Sequence, residues 1–369
     1  RFQKMTNKKI NFGAGPAKIP EAVMEKAARE FLVYGNSGVS ILEMSHRSAD
    51  FTAIIKEAEK LMREEMSIPN EFEVLFMQGG GTGQFAAIPM NIGRGKTSAD
   101  YAVTGTWSDK AAKEAEKYIN IHKVFTPTKP YVTIPAYNSW ERSKDAAYLY
   151  YCSNETVHGI EFHTPPETHA DVPLVADISS NFLSRPFDFT GHGIVFGGTQ
   201  KNLGAAGLTV ALVRKDLIGH ENRHCPSILS YKEMHANNSV YNTPSVYGIY
   251  ITKLVLEWIR DGGGVDKLFA TNQEKSRLVY DIIDSSNGYF SCPVDAGHRS
   301  HMNVPFRIGG GDEALEAAFL KGATERGMIG LKGHRSVGGI RASLYNAVTL
   351  DETRALVDYM NEFEAANRK

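Results

Sequence analysis

Apolar residues recur along this chain with two alternating periods. Over 48–66 the period is helical: Phe51, Ile54, Ile55, Ala58 and Met62 share one face, and Ser48 stands where an N-cap belongs. Short runs rich in β-branched and aromatic residues, at 73–77, 101–104, 147–152, 174–176, 193–196 and 209–213, read as strands. Most are followed by Gly, Ser or Asn, as turns require. From about residue 20 to residue 260 strands and helical segments alternate, which predicts a mostly parallel sheet covered by helices. The run 247–259 is interrupted by Lys253 and Glu257 and reads as a core helix, not a membrane span. After Gly262-Gly263-Gly264 the pattern predicts a helix-rich stretch, a strand at 303–308, a helix near 312–326 and a final helix. That last helix has a capping box in Thr349 and Glu352 and an apolar stripe in Leu356, Tyr359, Met360 and Phe363. The expected organisation is α/β, with a large domain over 16–265 and a smaller C-terminal α+β domain over 266–369 joined by the N-terminal segment 1–15.

Charge and cysteine content narrow the partners. Lys and Arg total 41 against 42 for Asp and Glu in 369 residues, so there is no field to attract a nucleic-acid backbone or an anionic membrane surface. Cys152, Cys225 and Cys292 are widely spaced and outside any C-x-x-C pattern, which argues against a disulfide framework or a zinc site. No metal is expected, and the cytoplasm is the expected compartment. The basic start 1–9 lacks the apolar stretch of a secretory signal, and residues 1–4 ahead of Met5 read as an expression remnant. The two N-x-S/T sequons, at Asn154 and Asn237, therefore read as chance matches.

Two apolar runs end in charge-bearing segments, Pro173-Leu174-Val175-Ala176-Asp177 and Ile194-Val195-Phe196-Gly197-Gly198-Thr199-Gln200-Lys201-Asn202. Each is a buried strand that delivers Asp177 or Lys201 at its carboxyl end, the edge where open α/β sheets bind ligands. An acid and an amine presented there together suit pyridoxal phosphate, whose aldehyde needs a lysine and whose ring nitrogen needs an acidic partner. Gly79-Gly80-Gly81-Thr82-Gly83-Gln84 follows a strand and opens a helix, so its N–H groups can cradle a phosphate. The overlapping Gly81-Thr82-Gly83-Gln84-Phe85-Ala86 also matches the dinucleotide fingerprint, with Asp100 as the ribose acid, so a nicotinamide site is a second reading. Trp107 follows a strand and could stack on a flat cofactor, and Thr156 offers a hydroxyl at the same edge. His46-Arg47 precedes the N-terminus of the 48–66 helix, where helix dipole and cationic side chains favour one anion. Lys332-Gly333-His334-Arg335 is a second basic cluster, and Arg341 lies in the apolar run 339–344, where an unpaired guanidinium is costly to bury.

Together, Asn11-Phe12-Gly13-Ala14-Gly15-Pro16-Ala17, Glu43-Met44-Ser45-His46-Arg47-Ser48, 78–84, 104–108, Asn154-Glu155-Thr156, Gln200-Lys201-Asn202 and 333–346 resemble the phosphoserine aminotransferase family, nearly end to end and in family order. The resemblance implies the fold of the type I pyridoxal-phosphate enzymes, working as a homodimer. It makes Lys201 the Schiff-base lysine, Asp177 the partner of the pyridine nitrogen and Trp107 the stacking ring. Gly81, Thr82 and Gln200 would hold the cofactor phosphate, reached from the other subunit by Asn242 and Thr243, and Thr156 would touch the cofactor's polar edge. His46, Arg47, His334 and Arg335 would receive the substrate phosphate or the distal carboxylate of glutamate, and Arg341 the α-carboxylate. Thr82 departs from the family pattern, since many bacterial members have Arg there. The implied reaction moves an amino group between glutamate or 2-oxoglutarate and 3-phosphooxypyruvate or O-phosphoserine, with 4-phosphohydroxythreonine as a further candidate substrate. The rival readings are a type I relative, such as a serine-glyoxylate aminotransferase or a cysteine desulfurase, and a nicotinamide-dependent dehydrogenase.

Overall fold

The computed structural model of the chain describes residues 8–368, so the N-terminal residues 1–7 lie outside the described part. Its centre is a seven-stranded sheet: β1 (Phe72–Gln78), β2 (Ser98–Ala102), β3 (Asn120–Lys123), β4 (Leu149–Cys152), β5 (Leu174–Asp177), β6 (His192–Gly198) and β7 (Leu208–Arg214), in the spatial order β1-β7-β6-β5-β4-β2-β3. From β6 to β3 every pairing is parallel; β7 alone is antiparallel to both its neighbours. The six strands with a common direction therefore present their carboxyl ends along one edge.

Alternate residues of each strand feed opposite faces. Val74, Phe76, Tyr151, Leu174, Ala176, Val195 and Leu212 pack with helices α1 (Glu21–Glu30), α2 (Ala49–Met66) and α6 (Val246–Asp261). Leu75, Met77, Tyr101, Tyr150, Val175, Ile194 and Ala211 face α3 (Gly80–Ile92), α4 (Thr106–Ala115) and α5 (Tyr231–Ala236). Covering both faces explains why these strands read as continuous apolar runs. In α2, Ser48 Oγ accepts the Phe51 N–H at 3.1 Å, and Phe51, Ile54, Ala58 and Met62 are buried as the period requires.

Two strand assignments shift. The run expected at 101–104 pairs only over Ser98–Ala102, because Ser108 Oγ accepts the N–H groups of Thr104 and Gly105 and turns the chain into α4. The edge strand β3 has the polar sequence Asn-Ile-His-Lys and carried no apolar signal.

A separate apolar cluster holds Phe12, Val279, Phe306, Phe319, Ala342, Leu356 and Phe363. It lies where α7 (Gly264–Ser285), α8 (Glu313–Glu325) and α9 (Leu350–Asn367) meet a three-stranded antiparallel sheet of Phe290–Ser291, Asn303–Ile308 and Ile340–Ser343. The chain start joins it through Ile10–Asn11, paired with Met328–Ile329. The capping box at Thr349 and Glu352 forms.

A fully buried lysine holds the segment of this unit that reaches the end of the central sheet. Lys275 Nζ on α7 donates to the carbonyls of Leu344, Tyr345 and Val348, each at 2.9 Å. The adjoining Asn346 N–H donates to Asn202 Oδ1, next to Lys201, at 2.9 Å. Burial pushes the Lys275 ammonium down to about 7. Lys275→Met fills the same space but takes a donor from three carbonyls, of which Tyr345 keeps the Val348 N–H, at about 1 kcal/mol or more for each bond lost. The expected result is a Tm lower by on the order of 4 °C for a chain of this size, read by calorimetry.

Candidate active site

At the carboxyl edge the ends of β4, β5 and β6 meet the starts of α3 and α4. One cavity there is lined by Gly80, Gly81, Thr82, Trp107, Asn154, Thr156, Asp177, Gln200 and Lys201, among others. The sequence-derived lysine, acid, aromatic ring and glycine loop thus surround a common space.

Lys201 lies three residues beyond β6, in a turn whose Gln200 carbonyl accepts the Ala17 N–H at 2.9 Å. Its Nζ is buried, donates to Thr156 Oγ1 at 2.6 Å and lies 5.6 Å from the centre of the Trp107 ring. Burial pushes the ammonium below the ordinary lysine value, against the opposing pull of Asp177, Cys152 and Glu155. Asp177 ends β5, where its Oδ1 accepts the Ser179 N–H at 2.9 Å. Burial pushes this carboxyl up, while the bonds from Ser179 and the charge of Lys201 pull it back. An amine eased toward its neutral form and an acid in need of a cationic partner are the states that suit their expected tasks.

Gly79 caps α3 with φ 96°, in the left-handed region open to glycine, and so aims the first turn at the cavity. The N–H groups of that turn have no partner within the helix. A Cβ on Gly81 would lie 3.4 Å from Ser179 Oγ and 3.9 Å from Asp177 Oδ2, ordinary contact distances, so glycine keeps this side of the cavity open. The chemistry of this donor set fits pyridoxal phosphate: N–H groups of α3 for a phosphate, the Trp107 ring for an aromatic face, and the Asp177 carboxyl and the Lys201 amine in the same cavity. Three buried polar atoms around the cavity also lack hydrogen-bond partners: Trp107 Nε1, Asn154 Oδ1 and Arg341 Nε.

Arg341 enters from the Ile340–Ser343 strand. It is 9% exposed and donates from Nη1 to the Thr156 carbonyl at 3.1 Å. His334, bonded to Ser336 Oγ at 2.7 Å, is pushed down first by burial and then by the charges of Arg341, Lys110 and Arg335. His158, which carried no sequence signal, is pushed down to about 4 by burial and by the charges of His334, Arg341 and Lys129. It contacts Thr106 Oγ1 at 2.9 Å, beside Trp107. Positive charge is thus concentrated at this mouth.

Other expected residues lie apart from this cavity in the single chain. His46 lines a second cavity with Lys56, Glu59, Glu73 and His235, and Arg47 is exposed. Asn242 and Thr243 are exposed too, with the Thr243 carbonyl accepting from Gln78 Nε2 at 3.1 Å. Asp100, the acid of the nicotinamide reading, is fully buried and binds Ser143 N at 2.7 Å, Ser143 Oγ at 2.8 Å and His122 Nδ1 at 3.0 Å. It does not line the Lys201 cavity, so the dinucleotide fingerprint loses its ribose partner. Cys152 does line it, but burial pushes its thiol well above the ordinary value, against the needs of a desulfurase nucleophile.

With this geometry the chain belongs to the class-V aminotransferase family, which it matches over residues 10–356. Among its relatives, a probable phosphoserine aminotransferase of Caenorhabditis elegans is 62% identical over 360 residues, covering 97% of each chain. The solved phosphoserine aminotransferase of Bacillus circulans subsp. alkalophilus is 43% identical with TM-score 0.94, covering 98% of this chain and 99% of that one. A pyridoxal-phosphate-bound phosphoserine aminotransferase from Trichomonas vaginalis is 40% identical with TM-score 0.92, covering 96% of this chain and 100% of its own.

Proposed function

We propose that this chain is a pyridoxal-phosphate-dependent phosphoserine aminotransferase, moving an amino group between glutamate and 3-phosphooxypyruvate. The observation that carries this reading is the buried Lys201 amine sharing a cavity with Asp177, Trp107 and the α3 N-terminus. Relatives of that name at up to 62% identity along almost the whole chain support it.

Bound there, pyridoxal phosphate supplies an aldehyde that condenses with amines and a ring that accepts electrons as the α-proton leaves. Gly81, Thr82 and Gln200 would hold its phosphate, and Thr156 its polar edge. Asp177 would hold the ring nitrogen and favour its protonated form. Lys201 would take the proton from the substrate α-carbon; its depressed basicity leaves more neutral amine at neutral pH. Arg341 receives the α-carboxylate, and His46, Arg47, His334 and Arg335 receive the distal anion.

The same reading includes a homodimer. Asn242 and Thr243 stand exposed beside the exposed Tyr241, and Phe31, Leu32, Val33, Val39 and Leu42 form a run of exposed apolar side chains. A second copy covering that run would bring Asn242 and Thr243 to the phosphate. The two apolar clusters around the sheet and the third around α7–α9 support a large and a small domain, divided near residue 265. Small molecules are the substrates; among the described residues no helix is long and apolar enough to cross a membrane.

The test is a half-reaction read from the cofactor's visible band. O-phosphoserine is expected to convert the aldehyde form to the amino form at roughly hundredfold lower concentration than serine, since charge-assisted bonds to phosphate contribute about 1.5–3 kcal/mol each. Equal responses would remove the role given to the histidine and arginine clusters.

A further inference from the structure

Glu155 is fully buried on the short strand Asn154–Glu155, and the proposed chemistry gives it no task. Its carboxylate faces the first turn of α4. Oε2 accepts the Trp107 N–H at 2.9 Å, while Oε1 accepts the Ser108 N–H at 2.8 Å and the Ser108 hydroxyl at 2.7 Å. The N-cap of this helix is Gly105, which has no side chain to bond those groups, and a Cβ at that position would collide with the Glu155 carboxyl. Ser108 Oγ itself accepts the N–H groups of Thr104 at 3.0 Å and Gly105 at 3.1 Å, which leaves its hydrogen free for Glu155. Every partner therefore donates. Burial pushes the Glu155 carboxyl up, but three donors and the positive end of a helix favour its ionised form.

We propose that Glu155 is the positioning residue of the cofactor face: its carboxylate replaces the missing cap of α4, fixes the Trp107 ring over the cavity and sets a negative charge near Lys201. The next residue, Thr156, accepts from Lys201 through its hydroxyl and from Arg341 through its carbonyl. Asn154, the residue before, bonds Ser180 Oγ at 2.8 Å and Asn303 Oδ1 at 2.9 Å. The tripeptide 154–156 thus joins the stacking ring, the amine and the carboxylate-binding arginine, so a shift of Glu155 reaches all three. The proposal rests on the aminotransferase reading, because the ring position matters only to a cofactor in that cavity.

Glu155→Gln keeps the side chain's length but turns one acceptor into a donor aimed at an N–H group. Two readouts apply, both in a Trp140→Phe, Trp258→Phe background that leaves Trp107 as the sole fluorophore of its kind. Without cofactor, acrylamide quenching of Trp107 is expected to rise in the variant. With pyridoxal phosphate bound at Lys201, the pH midpoint of the visible band is expected to fall by on the order of one unit, since a nearby negative charge that favours the protonated form is gone. Glu155→Asp keeps the charge and is expected to keep the midpoint near that of the parent. Unchanged quenching in Glu155→Gln overturns the positioning role, and an unchanged midpoint overturns the electrostatic one. A parent protein with no visible band overturns the aminotransferase reading itself. Should the Gln variant fail to fold, Gly105→Ala tests the same contact from the helix side: it displaces the carboxylate without removing it, so quenching should rise while the charge stays. Quenching that matches the parent's in Gly105→Ala overturns the proposal.

Discussion

Replacing Lys201 with Ala is expected to lower turnover of phosphoserine with 2-oxoglutarate by at least about a thousandfold. General acid/base transfer alone contributes about 10²–10⁴, and the variant also loses the amine that anchors the cofactor. The parent protein treated with borohydride should retain the cofactor covalently through denaturation, and the variant should not. The protein itself should remain folded, because Lys201 makes one side-chain hydrogen bond, to Thr156, and the Asp177 carboxyl that loses its nearby charge keeps the bond from the Ser179 N–H. A small amine added to the variant should restore part of the rate in proportion to its basicity, as expected when the missing group is a proton carrier. Full activity without Lys201 would overturn the reading of this cavity.

Much of this architecture can be read from local pattern. The face of α2 follows from the spacing of Phe51, Ile54, Ala58 and Met62, and the central strands from runs of apolar residues buried on both faces. Local pattern was insufficient where a strand depends on its neighbour. The strand β3 is four residues at the edge, held by pairing with β2, and carries no apolar alternation of its own. The same limit applies to the site. Asp177, Lys201 and the Gly79 loop were legible because each stands at the end of an element that the pattern predicts. Glu155 and His158 were not, since a buried acid and a buried imidazole have no periodic signature. Their contacts with Trp107, Ser108 and Thr106 arise only when residues about 50 positions apart are brought together by the fold. The fingerprint at Gly81–Ala86 misled for a related reason: Asp100 has a suitable spacing, yet its strand turns that carboxylate toward Ser143 and His122.

Arg341→Met separates stability from function. Arg341 is 9% exposed, and its guanidinium donates once to the Thr156 carbonyl and has an Nε without a partner. Burial pushes it below the ordinary arginine value, and among the described residues no carboxylate forms an ion pair with it. Such a group costs folding free energy, and a methionine of similar length removes that cost. The variant is therefore expected to melt at the same temperature as the parent or above it, despite losing a hydrogen bond. Catalysis should move the other way. A substrate α-carboxylate brought into this cavity would lose its charged partner, and truncating one side of a buried charged pair costs about 2–5 kcal/mol, or roughly 30- to several-thousandfold in kcat/KM. Arg341→Lys restores the charge but not the planar fork, so it should recover only part of that loss. Paired calorimetry and steady-state kinetics read both effects on the same preparations. A large drop in melting temperature for Arg341→Met would mean that the arginine serves the fold, while unchanged kcat/KM would remove it from the substrate site.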